Sequence, residues 1–183
     1  MTLSRLPVFP ATTFGARSDA AGKLTFSQPI APDHYSIQVD RRTIPEGCYL
    51  QTIKLGGEEI SAAGFVVAAS TELEIVLSST AGTIAGSVTE VDGKLFPGAA
   101  VTAIPTDEKS QPVKQSADDD GNFKVSGLRP GKYKLFAWEA VDDALWQDPE
   151  FRQKFDSRAT EITVGPSEVQ SAQPRLIPVE EMK

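Results

Sequence analysis

The chain has 183 residues, 40% of them hydrophobic, with 25 acidic against 18 basic side chains and a formal net charge of −7. That balance excludes a disordered polyelectrolyte and disfavours nonspecific attraction to DNA, RNA or an anionic bilayer. A single cysteine, Cys48, excludes an internal disulfide, a single histidine, His34, excludes a site needing two, and no apolar run approaches the roughly 18 residues of a membrane span.

In chain order, Met1 to Pro7 carries one positive charge and no apolar h-region, so no secretory signal is legible. Phe14 and Leu24 to Phe26 suggest short strands around the Ala21-Gly22 turn. His34 to Asp40 alternates with Tyr35, Ile37 and Val39 on one face, and Cys48 to Leu55 puts Tyr49, Gln51, Ile53 and Leu55 on one side. Gly56-Gly57 turns into Glu58 to Ile60, then Phe65 to Val67 and a strand lined by Leu73, Ile75 and Leu77 follow. Cys48 in this alternating apolar setting reads as a packing residue rather than a reactive thiol. The small, polar run Ser78 to Gly82 predicts a boundary between a domain over 1–80 and one over 81–183.

The second half opens with Thr83 to Thr89, in which Ile84, Gly86 and Val88 face one way, and turns at Asp92-Gly93. Pro97-Gly98 leads into a strand from Ala99 to Ile104, followed by a polar loop from Thr106 to Ser116. Asp120-Gly121 and Pro130-Gly131 are turn pairs. Around them Phe123 and Val125, then Tyr133, Leu135 and Ala137, alternate with polar residues as half-buried strands do. Asp142 to Phe155 switches to helical spacing with Pro149 suited to a first turn, which predicts one or two short helical turns. Thr160 to Val164 and Val169 to Ile177 read as the last strands, Pro174 confining the latter to a sheet edge.

Gly22-Lys23-Leu24-Thr25-Phe26 followed by Pro32 to Ile37 parallels Gly121-Asn122-Phe123-Lys124-Val125 followed by Pro130 to Leu135. Tyr35 to Thr80 and Tyr133 to Pro178 are equal stretches. Two copies of one all-β module of about 90 residues are therefore expected, the first cut short on its N-terminal side.

Ile84-Ala85-Gly86-Ser87-Val88, Pro97-Gly98-Ala99-Ala100-Val101, Asp119-Asp120-Gly121-Asn122-Phe123 and Gly127-Leu128-Arg129-Pro130-Gly131-Lys132-Tyr133 together resemble the carboxypeptidase regulatory-like domain over about residues 82 to 178. Tyr133 to Glu139 and Asp148 to Phe151 are further similar to versions found in large exported bacterial proteins, acidobacterial ones especially. Gly47 to Ile60 resembles, more loosely, a segment of the sandwich that precedes such domains. The resemblance implies an all-β chain of two tandem immunoglobulin-like or transthyretin-like β-sandwiches, the fold some classifications group with carbohydrate-binding sandwiches. It also implies a noncatalytic accessory or spacer module, exported, cell-surface or periplasmic, whose partners are other domains of a parent protein.

Three groups of residues carry candidate chemistry. Asp118, Asp119 and Asp120 ahead of Gly121 are candidates for Ca²⁺, with Asp118 and Asp120 the foremost; aligned to a calcium-binding loop they lack two ligands, so a tight turn is the preferred reading. Asp142, Asp143, Asp148 and Glu150 could pair as glycosidase carboxylates, but acids near helix starts favour capping or solvation. Neither nucleophilic-triad, zinc-protease nor phosphate-loop motifs occur, so no catalytic residue and no cofactor is expected. Phe136 and Trp138 fall on the face opposite Tyr133 and Leu135. With Trp146 they form the candidate surface for a polysaccharide or protein, unless Leu145, Trp146, Phe151 and Phe155 cover that face as a second small core, which is the preferred reading. An exposed strand edge is the other candidate surface.

Overall fold

The computed structural model describes residues 1–6, 13–68, 71–107 and 110–182. Among them the chain is all-β apart from two short α-helices and three 3-10 turns. Contacts gather into two compact units, one comprising Met1–Pro45 with Leu50–Ser78, the other Glu46–Tyr49 with Ser79–Lys183.

The first unit holds β1 (Thr2–Arg5), β2 (Thr13–Ser18), β3 (Leu24–Phe26), β4 (Asp33–Gln38), β5 (Tyr49–Leu55), β6 (Glu58–Glu59), β7 (Phe65–Val67) and β8 (Leu73–Ser78). One sheet runs β3-β2-β1-β4-β7 and the other β6-β5-β8. The core is Leu3, Phe14, Tyr35, Ile37, Ile53 and Phe65. Leu3 stands opposite Phe14 on one side and Ile37 on the other, so one buried side chain per strand aligns three strands. β1 was not expected from the sequence: with Leu3 its one buried residue, it has no period to read. Gln51 and Leu77 are exposed, against the expected one-sided alternation, and Cys48 is half-buried rather than buried.

The second unit holds β9 (Gly82–Ser87), β10 (Ala100–Pro105), β11 (Val113–Ser116), β12 (Asn122–Leu128), β13 (Gly131–Trp138), α1 (Asp143–Gln147), α2 (Pro149–Gln153), β14 (Thr160–Val164), β15 (Val169–Ala172) and β16 (Leu176–Ile177). β11-β10-β13-β14 forms one sheet, with β16 added parallel to β13, and β12-β9-β15 forms the other. They face each other across Ile84, Phe123, Val125 and Leu128 on one side and Val101, Ala103, Tyr133 and Leu135 on the other. The arrangement is a β-sandwich.

Two stretches of this unit depart from the pattern that the sequence predicts. The stretch Thr106 to Ser116 is not all loop, because Val113–Ser116 pairs antiparallel with β10; residues 108 and 109 lie outside the described set. Val169 to Ile177 is not one edge strand: it breaks after Ala172, and its two pieces join different sheets, β15 parallel to β9 and β16 parallel to β13. Between them the Pro174 carbonyl accepts the Thr89 N–H at 3.3 Å.

The Ala172 backbone of β15 lies directly against Gly86 of β9. A Cβ added at Gly86 would stand 1.7 Å from the Ala172 carbonyl oxygen, so only glycine fits there.

Candidate functional site

β10 and β13 are buried on both faces, which is what the unbroken runs Ala100 to Ile104 and Leu135 to Trp138 encode. Their inner side chains enter the sandwich core. Their outer ones, Ala100, Ile104, Phe136 and Trp138, meet Trp146, Phe151, Phe155 and Ile177 in a second apolar cluster. Trp138 is 0% exposed, Phe136 1% and Trp146 7%. The candidate ligand surface formed by these three residues is therefore not a surface. The physical reason is the segment from α1 to Phe155, whose rings lie over β13.

Ring geometry is that of a packed core. Phe136 stacks on Trp138 at 5.4 Å and 18°, Phe155 meets Trp138 edge-on at 5.2 Å and 85°, and Phe151 lies 5.8 Å from it. The buried indole Nε1–H of Trp138 donates to Thr102 Oγ1 at 3.0 Å, satisfying both groups inside the layer. Thr102 was missed from the sequence; its one signal is a hydroxyl within the apolar run Ala99 to Ile104. Leu145, expected in the cover, is 45% exposed instead.

The acidic residues of this segment hold the cover in place. Asp142 caps α1 by accepting from the Ala144 N–H at 2.8 Å, and Asp148 caps α2 by accepting from the Glu150 N–H at 2.9 Å, with Pro149 opening the helix. Asp143 accepts from Lys114 Nζ at 2.7 Å and from Trp146 Nε1 at 2.9 Å. The Lys114 hydrogen bond, then the indole, hold its carboxyl below the usual value of 3.8. Lys134 reaches Asp156 at 2.9 Å, tying the end of the cover to β13. Glu150 contributes its N–H to the cap rather than a paired carboxylate.

Beside this cover lies a shallow recess of about 440 Å³ lined by Lys114, Gln115, Ser116, Asp143, Trp146 and Gln147. Lys114 and Asp143 there are each other's ion partners. The recess thus offers a ligand a largely buried indole, a neutralised pair and the polar groups of Gln115, Ser116 and Gln147.

The Asp118 carboxylate is used within its own turn. Oδ1 accepts from the Asp120 N–H at 3.0 Å and the Asn122 N–H at 2.8 Å, while Gly121 takes φ +76°. Asp120 is exposed beside it. Among the described residues no group of three or more His, Cys, Asp or Glu side chains could hold a metal ion. Asp19 repeats the arrangement, accepting from Ala21 and Lys23 N–H groups at 2.9 Å, with Gly22 at φ +80°. His34 is exposed at the edge of Asp33, whose carboxyl is held low by the His34 backbone N–H and by the Arg5 guanidinium. No helix among the described residues is long and apolar enough to cross a membrane.

Solved structures similar to this chain include the minor pilin of Streptococcus agalactiae, 13% identical, covering 97% of this chain and 80% of that one at a TM-score of 0.34. The Streptococcal ancillary pilin is 10% identical over 96% of this chain and 60% of its own, TM-score 0.38. The major pilin subunit of Bacillus cereus is 12% identical over 92% and 78%, TM-score 0.33. At these scores the likenesses carry no argument about this chain. No curated protein matches it in sequence. The carboxypeptidase regulatory-like domain matches residues 83–176, more than half of the chain, and it is to this family that the protein belongs.

Proposed function

We propose that the chain is a noncatalytic structural module of a surface protein, built as two tandem sandwiches of which the second carries a helical cover over one face. The observation that carries the reading is the use in folding of the aromatic candidates and of most of the acidic ones. Phe136, Trp138 and Trp146 fill a second core, Asp142 and Asp148 cap helices, and Asp118 closes a turn. A sugar-stacking role would need the face of one of these rings open to solvent, and Trp146, the one that reaches the recess, is 7% exposed. The surface location rests on the resemblance to modules of exported bacterial proteins, and the partners it implies are the neighbouring domains of a parent protein.

Affinity electrophoresis of the whole chain against a polysaccharide panel tests the first part. The reading predicts unretarded migration for the parent and for Trp146→Phe alike; retardation that Trp146→Phe abolishes would contradict it. Protease treatment of intact cells tests the second part, and protection of the chain until lysis would count against a surface location.

A further inference from the structure

From Asp142 to Ala159 the backbone forms hydrogen bonds only within its own segment. The strands beneath it are laced into ladders, β10 to β13 from Ala100 to Pro105 and β13 to β14 as far as the pair Leu135 and Thr160. The cover therefore rests on its rings and on three side-chain links. Asp143 accepts from Lys114 of β11 at 2.7 Å, and Asp156 accepts from Lys134 of β13 at 2.9 Å. Arg158 donates to Glu181 of the C-terminal turn (Val179–Met182) at 3.2 Å and to the Leu176 carbonyl at 3.0 Å. Within the segment Asp142 and Asp148 cap the two helices, which at five residues each have little stability of their own.

Carboxylates thus supply all of these contacts but the one to the Leu176 carbonyl. The other charged groups of the cover are Glu150, Arg152 and Lys154. β10 and β16 present no charged side chain to it, and Glu139, after β13, accepts from the Val179 N–H at 3.0 Å and so holds the C-terminal turn, in which Glu180 is exposed. Protonating the acids removes the ion pairs and weakens the caps. It leaves Arg152, Lys154 and Arg158 on the cover and Lys114 and Lys134 on the sandwich, all of one sign. Burial of Trp146, Phe151 and Phe155 must then offset the conformational entropy of the whole segment. The sandwich is held by its main-chain ladders and by aliphatic and aromatic packing between the sheets, which protonation leaves unchanged; the carboxylates of Asp118 and Glu168 each serve a single turn.

We propose that the cover is an acid-released latch: it opens as one unit while the sandwich beneath stays folded, uncovering the apolar face made by Ala100, Ile104, Phe136 and Trp138. The Asp143 carboxyl is held below 3.8 in the closed state, so its links are intact above that pH and are lost as pH falls through the lowered value, which places opening below pH 3.8. The inference is independent of where the protein resides.

The test is amide hydrogen exchange of the whole chain, expressed as protection factors, from about pH 7 down to about pH 2, with tryptophan emission and binding of an apolar-surface dye followed in parallel. Expected is loss of protection over Asp143–Arg158, red-shifted emission and dye binding at a pH where Gly82–Ser87, Ala100–Pro105 and Asn122–Leu128 remain protected. In the variant Asp143→Asn/Asp156→Asn, two of the links lose their charge at any pH. Exchange of the cover at neutral pH should then be at least about tenfold faster, with the three strands unchanged. Three results would overturn the proposal: cover and strands losing protection in one transition, a cover protected throughout the titration, or a double variant whose cover exchanges at the parent's rate.

Discussion

Replacing Trp138 by Phe, Thr102 by Val, and both together measures what the covered face of the second sandwich contributes. Trp138 is the largest fully buried side chain in the chain, and its indole N–H donates to Thr102 Oγ1 at 3.0 Å. Thr102→Val keeps the shape and leaves that N–H buried without an acceptor, a cost of about 1–3 kcal/mol. Trp138→Phe leaves the hydroxyl without its donor and adds a cavity beside Phe151 and Phe155. The double variant has neither orphan, so its destabilisation should fall short of the sum by about 1–3 kcal/mol. Trp138→Ala, which removes the whole ring, should cost about 3–5 kcal/mol. For a unit of roughly 100 residues each kcal/mol shifts Tm by about 4–8 °C, so even the single hydrogen-bond variants are resolvable. The assay is urea unfolding of the whole chain followed by tryptophan emission, which reports the second unit alone because both tryptophans, Trp138 and Trp146, lie there. Additivity within about 0.3–0.5 kcal/mol, or a Trp138→Ala variant as stable as the parent, would refute the packed layer.

Gly86→Ala should break the β9–β15 pairing, since its Cβ would meet the Ala172 carbonyl at 1.7 Å; proteolysis should then cut near Val169, and an intact, equally resistant variant would count against the register. Tyr35→Phe and Tyr133→Phe each remove the hydrogen bond from a ring hydroxyl to the carbonyl four residues earlier and should each lower stability by about 0.5–1.5 kcal/mol, read by calorimetry; one variant neutral and the other severe would undo the equivalence of these two corners. Asp143 titrates below 3.8 when folded, so its ion pair and indole bond contribute above that pH and are lost as pH falls through the lowered folded value. Acid unfolding should therefore begin at higher pH in Asp143→Asn, with Trp146 emission as the readout, and superimposable acid limbs would remove Asp143 from the account.

Much of the second unit could be read from residues because its strands alternate around strong turns. Phe123, Val125, Tyr133 and Leu135 point one way, and Asp118 with Gly121 fixes the turn that aims them. The same alternation put Phe136 and Trp138 on the other face, but alternation is silent on whether that face meets water. What decides it is a pair of five-residue helices whose spacing could not tell Leu145, exposed, from Phe151, buried. The missed strands failed for the opposite reason. Val113–Ser116 has one apolar residue and exists through its ladder to β10, while Thr2–Arg5 is specified by the partners of Leu3 on either side. Thr102 looked like a β-former in an apolar run, and its role as acceptor appears only once Trp138 is placed beside it.

The most direct measurement is acrylamide quenching of the native chain's tryptophan emission, with and without a panel of soluble polysaccharides. Burial of Trp138 beneath the helical cover and of Trp146 within it predicts blue-shifted emission, weak quenching and no change on adding any glycan. Emission like that of tryptophan in water, efficient quenching, and protection by one saccharide would contradict the claim that this aromatic layer is part of the fold.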